Sequence, residues 1–239
     1  MKTEVLGIRY DNVTMAEALD AARTFLQSDA SGYVVTPNAE IAYEALHSEA
    51  LCRVLNDAQL VLPDGAGVVL ASKLVCSPLK QKVAGFDFAM LLLPVLAELG
   101  LRLFLLGSNP GVAEQAAEIL REKHPDLCIC GTADGYFSQD GEALEAIRAV
   151  QADVVYVCLG APKQEFFMQR NLAPSGAKLM LGLGGTLDVV VGHVKRAPRW
   201  MQKLGLEWFY RLLRQPSRFG RMLRLPKYIF AALKKRWKG

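Results

Sequence analysis

Short apolar runs separated by longer amphipathic stretches recur along the chain. The runs at 33–35, 60–62, 102–106, 154–159 and 179–183 have the length and composition of buried strands. The stretches between them are long enough for helices of roughly 10–15 residues. Strands that alternate with such helices predict an α/β fold, with a parallel Rossmann-like sheet and helices on both faces.

Local signals add details at two places. The stretch from Val5 to Ile8 predicts a short edge strand. After Gly107, Asn109 is expected to cap a helix whose first residue is Pro110.

Two strand–glycine–helix units follow one another directly between residues 153 and 198. The first strand ends at Gly160, and the second ends at Gly184 and Gly185. The carboxyl ends of parallel strands form the usual ligand crevice of an α/β sheet. Glycines there let backbone N–H groups approach an anion, which helix N-termini also favour. We therefore expect this stretch to form the floor of a nucleotide site.

The net charge of +4 conceals two oppositely charged parts. Residues 195–239 carry 14 lysines and arginines against one acid, Glu207, and a net charge of +13. Residues 1–194 have a net charge of −9. Aromatic and apolar residues alternate with the cations, a pattern typical of an amphipathic segment on an anionic membrane surface, which we favour over nucleic acid. We predict an α/β core at 1–194 and a basic, membrane-associating appendage at 195–239.

Cysteine usage and hydropathy indicate a cytoplasmic protein. The five cysteines show no C-x-x-C spacing, and their odd number is typical of a reducing compartment. No charged-then-apolar leader is visible, and no run reaches the ~20 apolar residues of a membrane span.

Polar residues follow several predicted strands, and these are Thr36, Asn38, Asp64, Gln164 and Asp188. Each alone has a local explanation: Thr36 as a helix cap, Asp64 as a turn residue, Asp188 as a first-turn carboxylate. Together they predict a site at one rim of the sheet. No His, Cys or carboxylate cluster has metal-ligand spacing, so we expect no metal and no other cofactor.

Basic side chains in the C-terminal segment are candidates for binding a diphosphate. Their spacing of three or four residues would align them on one helix face, although Pro216 is expected to interrupt that helix. They are Arg211, Arg214, Arg218 and Arg221.

Ordered motifs along nearly the whole chain resemble those of the WecG/TagA/CpsF glycosyltransferases of bacterial cell-surface polymer synthesis. The motifs are TPNAEI, PDGAGVV, VAGFDF, LLGSNPGVAE, LGAPKQE, GLGGTLDVVVGHVKRAP and LGLEWFYRLLRQPSR. The resemblance implies an inverting, metal-independent enzyme. It would move a sugar from a UDP-sugar to a polyprenyl-diphosphate-linked GlcNAc, at the inner face of the cell membrane.

Residue roles also come from this resemblance. Asp64 matches the proposed catalytic base of the family, and Thr36 and Gln164 match pocket positions. Lys82 stands where the family usually has arginine; it keeps the charge but loses bidentate phosphate geometry. We expect the remaining candidates to bind substrate: Asn38, Lys82, Gly160, Gly184, Gly185, Asp188, Arg211, Arg218 and Arg221.

Several alternatives stay open. N-acetylmannosamine is the preferred donor sugar, with its uronic acid and glucose-type sugars as alternatives, and the oligomeric state is undetermined, a homo-oligomer included. Gly182-Leu183-Gly184-Gly185 after a strand also suggests a nicotinamide-dependent dehydrogenase, but the third fingerprint glycine is Leu187. A non-catalytic membrane-binding module would leave the polar residues at the strand ends unexplained.

Overall fold

The computed structural model describes residues 2–214 and 219–238. Their contacts form two compact units. Unit 1 comprises Met1–Met15, Thr36–Ala84 and Lys195–Gly239, and unit 2 comprises Ala16–Val35 and Gly85–Val194. The boundary predicted at residue 195 lies where unit 2 ends, and the basic segment groups with unit 1.

The secondary structure is α/β, as the hydrophobic pattern predicts. The strands are β1 (Lys2–Val5), β2 (Ile8–Asp11), β3 (Gly32–Val35), β4 (Leu60–Val61), β5 (Leu103–Gly107), β6 (Ile129–Ala133), β7 (Val154–Cys158) and β8 (Leu179–Gly182). The helices are α1 (Met15–Leu26), α2 (Ala39–Ala45), α3 (Glu49–Asn56), α4 (Ala66–Leu74), α5 (Gly85–Glu98), α6 (Val112–Lys123), α7 (Asp140–Ala149), α8 (Lys163–Ser175), α9 (Thr186–Val190), α10 (Arg199–Lys203), α11 (Glu207–Arg214), α12 (Phe219–Met222) and α13 (Arg224–Lys238).

The large sheet has six strands. Five of them belong to unit 2, are parallel, and lie in the order β3, β8, β7, β5, β6. Strands β5 and β7 pair from Leu103 opposite Val154 to Gly107 opposite Cys158, and every residue of both is buried. Burial on both faces explains their continuous apolar sequences. Because the strands are parallel, the turns after β5, β7 and β8 lie at the same edge.

Unit 1 begins with a hairpin where the sequence predicts a single strand. Strands β1 and β2 are antiparallel, and Val5 pairs with Ile8 across a two-residue turn. The turn residues, Leu6 and Gly7, both have positive φ, +52° and +89°. This is the geometry that matches the twist of a tight hairpin. Because residues 6 and 7 form this turn, the prediction of one strand through 5–8 is wrong. Leucine rarely adopts a positive φ, so no local pattern indicates the turn.

The C-terminal helix α13 packs against α2 and α4 in unit 1. Tyr228 and Ala232 are buried there. A Cβ added to Gly67 would lie within van der Waals overlap of Leu225, so the absence of a side chain at Gly67 permits this packing. Arg224 Nη1 adds an ion pair with Glu44 Oε2 at 2.6 Å. Among the described residues, none of the helices combines the length and apolarity needed to cross a bilayer.

Candidate active site

Two glycine turns in unit 2 lie where β7 and β8 end. Gly160 and Gly184 have φ of +75° and +55°, in the left-handed region that favours glycine. A Cβ added at either position would meet nothing within 4 Å. The turns therefore require glycine for backbone conformation, and they leave open space beside the chain.

Gln164 holds the second glycine turn in place. It is 2% exposed, its Oε1 accepts the Gly184 N–H at 2.8 Å, and its Nε2 donates to Glu165 Oε1 at 2.9 Å. Gly182, which has no side chain, makes room for it, because a Cβ there would be 3.0 Å from Nε2. Both ends of the Gln164 amide thus bind within unit 2, and the Gly184 N–H is used by the protein.

Asp188 accepts a hydrogen bond from a residue that the sequence analysis did not select as a site candidate. The hydroxyl of Ser108, in the turn after β5, donates to Asp188 Oδ2 at 2.8 Å. Ser108 has a φ of +64°, and its carbonyl accepts the Gly135 N–H at 2.9 Å. The partners Ser108 and Asp188 are 80 residues apart in the chain, so sequence spacing gave no signal for this pairing.

An aromatic loop after β6 was also missed. Tyr136 is 72% exposed, and its hydroxyl donates to Asn109 Oδ1 at 2.7 Å. Lys163 Nζ donates to the Gly135 carbonyl at 3.0 Å and lies 4.2 Å from the centroid of the Phe137 ring. The loop therefore presents a flat aromatic ring held by hydrogen bonds at the edge where the glycine turns lie.

In unit 1, the residues after β3 form a capped turn. Thr36 is buried, and Asn38 Oδ1 accepts the N–H groups of Glu40 at 2.9 Å and Ile41 at 3.1 Å. The N-cap of α2 is therefore Asn38, the residue type that most favours this position. This local role occupies the Asn38 side-chain oxygen.

Asp64 lies on a turn fixed from both sides. The half-buried Asp64 follows β4, and Gly65, with φ of +87°, is the N-cap residue of α4. The Pro63 carbonyl accepts the Val83 N–H at 2.9 Å. That bond holds the segment carrying Lys82 beside the turn carrying Asp64, so these two predicted site residues lie on adjoining backbone segments.

Lys82 pairs with the one acid of the basic segment. Lys82 Nζ lies 2.7 Å from Glu207 Oε2, and Arg196 Nη2 lies 3.6 Å from Glu207 Oε1. All three side chains are about a quarter exposed. The carboxylate of Glu207 thus holds two cations together in unit 1.

The predicted arginine row does not lie on one continuous helix in the described residues. Arg211 and Arg214 belong to α11, Arg221 belongs to α12, and Arg218 lies outside the described residues. Within residues 2–214 and 219–238, no group of three His, Cys, Asp or Glu side chains could hold a metal ion.

Comparisons with known proteins point to one family. Residues 3–239 match the family described as "Glycosyl transferase WecG/TagA/CpsF family". Three relatives carry the name N-acetylglucosaminyldiphosphoundecaprenol N-acetyl-beta-D-mannosaminyltransferase. Those of Bacillus spizizenii W23 and Bacillus subtilis 168 are 40% and 37% identical, covering 88% and 98% of this chain and 82% and 92% of the relatives. The Staphylococcus aureus MRSA252 relative is 32% identical over 98% of this chain and 92% of its own length.

Proposed function

The chain belongs to the WecG/TagA/CpsF family of glycosyltransferases, and from this premise we propose its reaction. It transfers N-acetylmannosamine from a UDP-sugar to GlcNAc-diphosphoundecaprenol, with inversion and without a metal ion, in teichoic acid or surface polysaccharide synthesis. The names of the relatives support this choice of sugar and acceptor. Because the chain belongs to this family, we drop the two alternative interpretations, a nicotinamide-dependent dehydrogenase and a non-catalytic membrane-binding module.

The observation that carries the mechanism is the position of Asp64. Its half-buried carboxylate lies on a turn fixed by Gly65 and by the bond from Val83 to Pro63. A hydroxyl of the acceptor attacks the anomeric carbon from the face opposite UDP. Asp64 accepts the proton of that hydroxyl as the new C–O bond forms, and the bond between the sugar and UDP breaks.

The departing UDP carries the charge that develops in this step. We propose that Lys82 and the arginines of the C-terminal segment stabilise its diphosphate in place of a metal, since charged hydrogen bonds act most strongly on a developing negative charge. Gln164 and Asp188 contribute by positioning the turns at Gly184 and Ser108. Tyr136 offers a ring on which a nucleobase can stack.

The membrane contact of the enzyme is assigned to the C-terminal helices. Exposed apolar side chains are concentrated there, including Trp200, Leu204 and Trp237, which are 60%, 67% and 86% exposed. Helices α11, α12 and α13 also line an apolar groove of about 490 Å³. Apolar surface beside many cations suits the interface of an anionic membrane, in which the lipid tail of the acceptor remains.

Turnover with defined substrates tests the proposal. The full chain is assayed with UDP-N-acetylmannosamine, UDP-N-acetylmannosaminuronate, UDP-glucose or UDP-N-acetylglucosamine, and a short-chain, water-soluble GlcNAc-diphosphate lipid, with and without excess EDTA. We expect a disaccharide lipid from UDP-N-acetylmannosamine and unchanged turnover in EDTA. Transfer of another sugar would overturn the donor assignment, and loss of turnover that Mg²⁺ restores would overturn metal independence.

A further inference from the structure

A carboxylate in unit 1 bridges two cationic side chains. Lys82 Nζ lies 2.7 Å from Glu207 Oε2, and Arg196 Nη2 lies 3.6 Å from Glu207 Oε1. One carboxylate oxygen thus faces each cation, an arrangement that two oxygens of a phosphate group can reproduce. The three side chains together carry one surplus positive charge, because the carboxylate offsets only one of the two cations.

The position of Arg196 does not depend on Glu207 alone. Arg196 Nη2 also donates to Gln202 Oε1 at 3.2 Å, and Gln202 Nε2 donates to the Ala197 carbonyl at 2.7 Å. Ala197 is buried, so this second contact ties the guanidinium to a fixed part of the backbone. An arginine has five N–H donors in a rigid fork. Arg196 can therefore keep its bond to Gln202 while it exchanges one anion for another.

Lys82 is held beside the turn that carries the proposed catalytic base. Its neighbour Val83 is fully buried, and the Val83 N–H donates to the carbonyl of Pro63, the residue before Asp64, at 2.9 Å. The backbone at Lys82 is therefore fixed at this turn. An anion that Lys82 binds lies within the length of one lysine side chain from it.

Glu207 differs in charge from the segment around it. It is the one acid among 14 lysines and arginines in residues 195–239. An acid in the first turn of α11 suits the N-terminus of that helix, but this local role requires no cation partner. The Glu207 side chain is about a quarter exposed, and partly exposed ion pairs contribute little free energy. A diphosphate, which has more charge and more acceptor oxygens, can therefore replace this carboxylate.

We propose that Lys82 and Arg196 form a two-cation binding site for a phosphate group of a substrate diphosphate, and that the Glu207 carboxylate occupies this site until the diphosphate displaces it. Arg196 is then a further substrate-binding residue, and Glu207 competes with the substrate. UDP and the lipid-linked acceptor both contain a diphosphate, and the experiment below distinguishes them. The choice of these two ligands rests on the proposed function, whereas the pairing of the cations does not.

Binding measured by calorimetry tests the site without turnover. The ligands are UDP, uridine and the short-chain, water-soluble GlcNAc-diphosphate lipid. In Arg196→Gln we expect the affinity for one diphosphate ligand to fall roughly tenfold or more, because one charged hydrogen bond is lost. Uridine has no phosphate and should bind as to the wild type. The ligand that loses affinity identifies the diphosphate that the site binds. The control is Lys203→Gln, which removes an exposed lysine at the end of α10 and should change none of the three affinities.

Glu207→Gln separates a competing carboxylate from one that positions the cations. Glutamine keeps the size of the side chain but removes its charge, so the same diphosphate ligand should bind roughly 3–10-fold more tightly than to the wild type. If Glu207 instead held the cations in place, this variant would bind the ligand more weakly. Thermal melting checks that each variant folds, and Glu207→Ala repeats the measurement if the glutamine variant does not fold.

Two results would contradict the proposal. Wild-type affinity for both diphosphate ligands in Arg196→Gln would remove Arg196 from the site. Unchanged or weaker binding of both in Glu207→Gln would show that Glu207 does not compete with them. If the wild type binds neither ligand, the proposed function fails, and inorganic diphosphate, tested with the same variants, still decides whether the two cations bind a phosphate group.

Discussion

The polar side chains of the candidate site are used differently in the two units. In unit 2, the amide of Gln164 binds the Gly184 turn and Glu165, and Asp188 binds Ser108. These side chains therefore form their hydrogen bonds within unit 2. In unit 1, Asp64 is half-buried, and Lys82 shares Glu207 with Arg196, each of the three side chains about a quarter exposed. In unit 1 the charged groups are therefore ion-paired and partly exposed, whereas in unit 2 Gln164 and Asp188 hold backbone turns.

This contrast suggests that the two units have different roles in the reaction. A backbone turn that must present a fixed shape to a nucleotide benefits from internal hydrogen bonds that prevent other conformations. A base that takes a proton, and a cation that meets a developing charge, must face the reacting groups directly. We therefore expect substitutions in unit 1 to affect mainly kcat, and substitutions in unit 2 to affect mainly nucleotide affinity and stability.

The largest effect is expected for Asp64→Asn. The amide keeps the shape of the side chain but cannot accept the proton of the acceptor, so kcat should fall roughly 10²–10⁴-fold. Binding of UDP, measured by calorimetry, should remain within about threefold of the wild type, because the base is not needed in the ground state. Near wild-type turnover would reduce Asp64 to a turn residue and remove the basis of the comparison.

Lys82→Ala should have the next largest effect. Loss of one charged hydrogen bond to the diphosphate should lower kcat/KM roughly 10–100-fold. Lys73→Ala, which removes an exposed lysine from the end of α4 in the same unit, is the control and should be neutral. Glu207→Gln separates the two roles of Lys82: if it is as damaging as Lys82→Ala, the ion pair itself matters and not a phosphate contact.

The sequence predicted the strands better than it predicted the turns. Strands such as β7 are buried on both faces, so a continuous apolar run is a sufficient signal. The start of α6 is different: Gly111, with φ of +85°, precedes its first residue, Val112, and the Asn109 side chain accepts a hydrogen bond from Tyr136. The prediction that Asn109 caps a helix beginning at Pro110 is therefore wrong: the helix begins at Val112, and the Asn109 oxygen instead accepts from Tyr136, 27 positions away.

The candidate site could be predicted only in part for the same reason. Motif positions such as Asp64 and Gln164 can be read from the chain, since strand ends and glycines identify the rim of a sheet. The partners of these residues depend on contacts between distant segments. Ser108 for Asp188 and Glu207 for Lys82 are 80 and 125 residues away, and no local pattern encodes such pairs.

A smaller effect is expected for Gln164→Ala in unit 2. It frees the Gly184 N–H and removes a buried amide, so UDP affinity should fall roughly tenfold and stability by about 1–3 kcal/mol. Asn171→Ala on the same helix α8 is the control: its amide is also buried, and it bonds Asp140 and the Phe167 carbonyl. It should lose stability and keep UDP affinity. Equal loss of affinity in both variants would mean that general loosening of α8, and not the Gly184 turn, is responsible.

The smallest effect concerns Trp237, and it tests whether unit 1 has a purely lipid-facing part. Deleting residues 195–239 cannot answer this question, because α13 packs on α2 and α4 and its loss would uncover Gly67. Trp237 is 86% exposed near the end of α13, so its replacement by alanine should leave the fold intact.

In Trp237→Ala, binding to anionic liposomes in a sedimentation assay should weaken roughly 3–10-fold, since less apolar surface enters the interface. Turnover on the water-soluble acceptor should match the wild type. Leu91→Ala, which removes a half-exposed apolar side chain from α5 in unit 2, should change neither property. Loss of turnover on the soluble acceptor in Trp237→Ala would place the end of α13 with Asp64 in the catalytic part of unit 1, because no membrane is present in that assay.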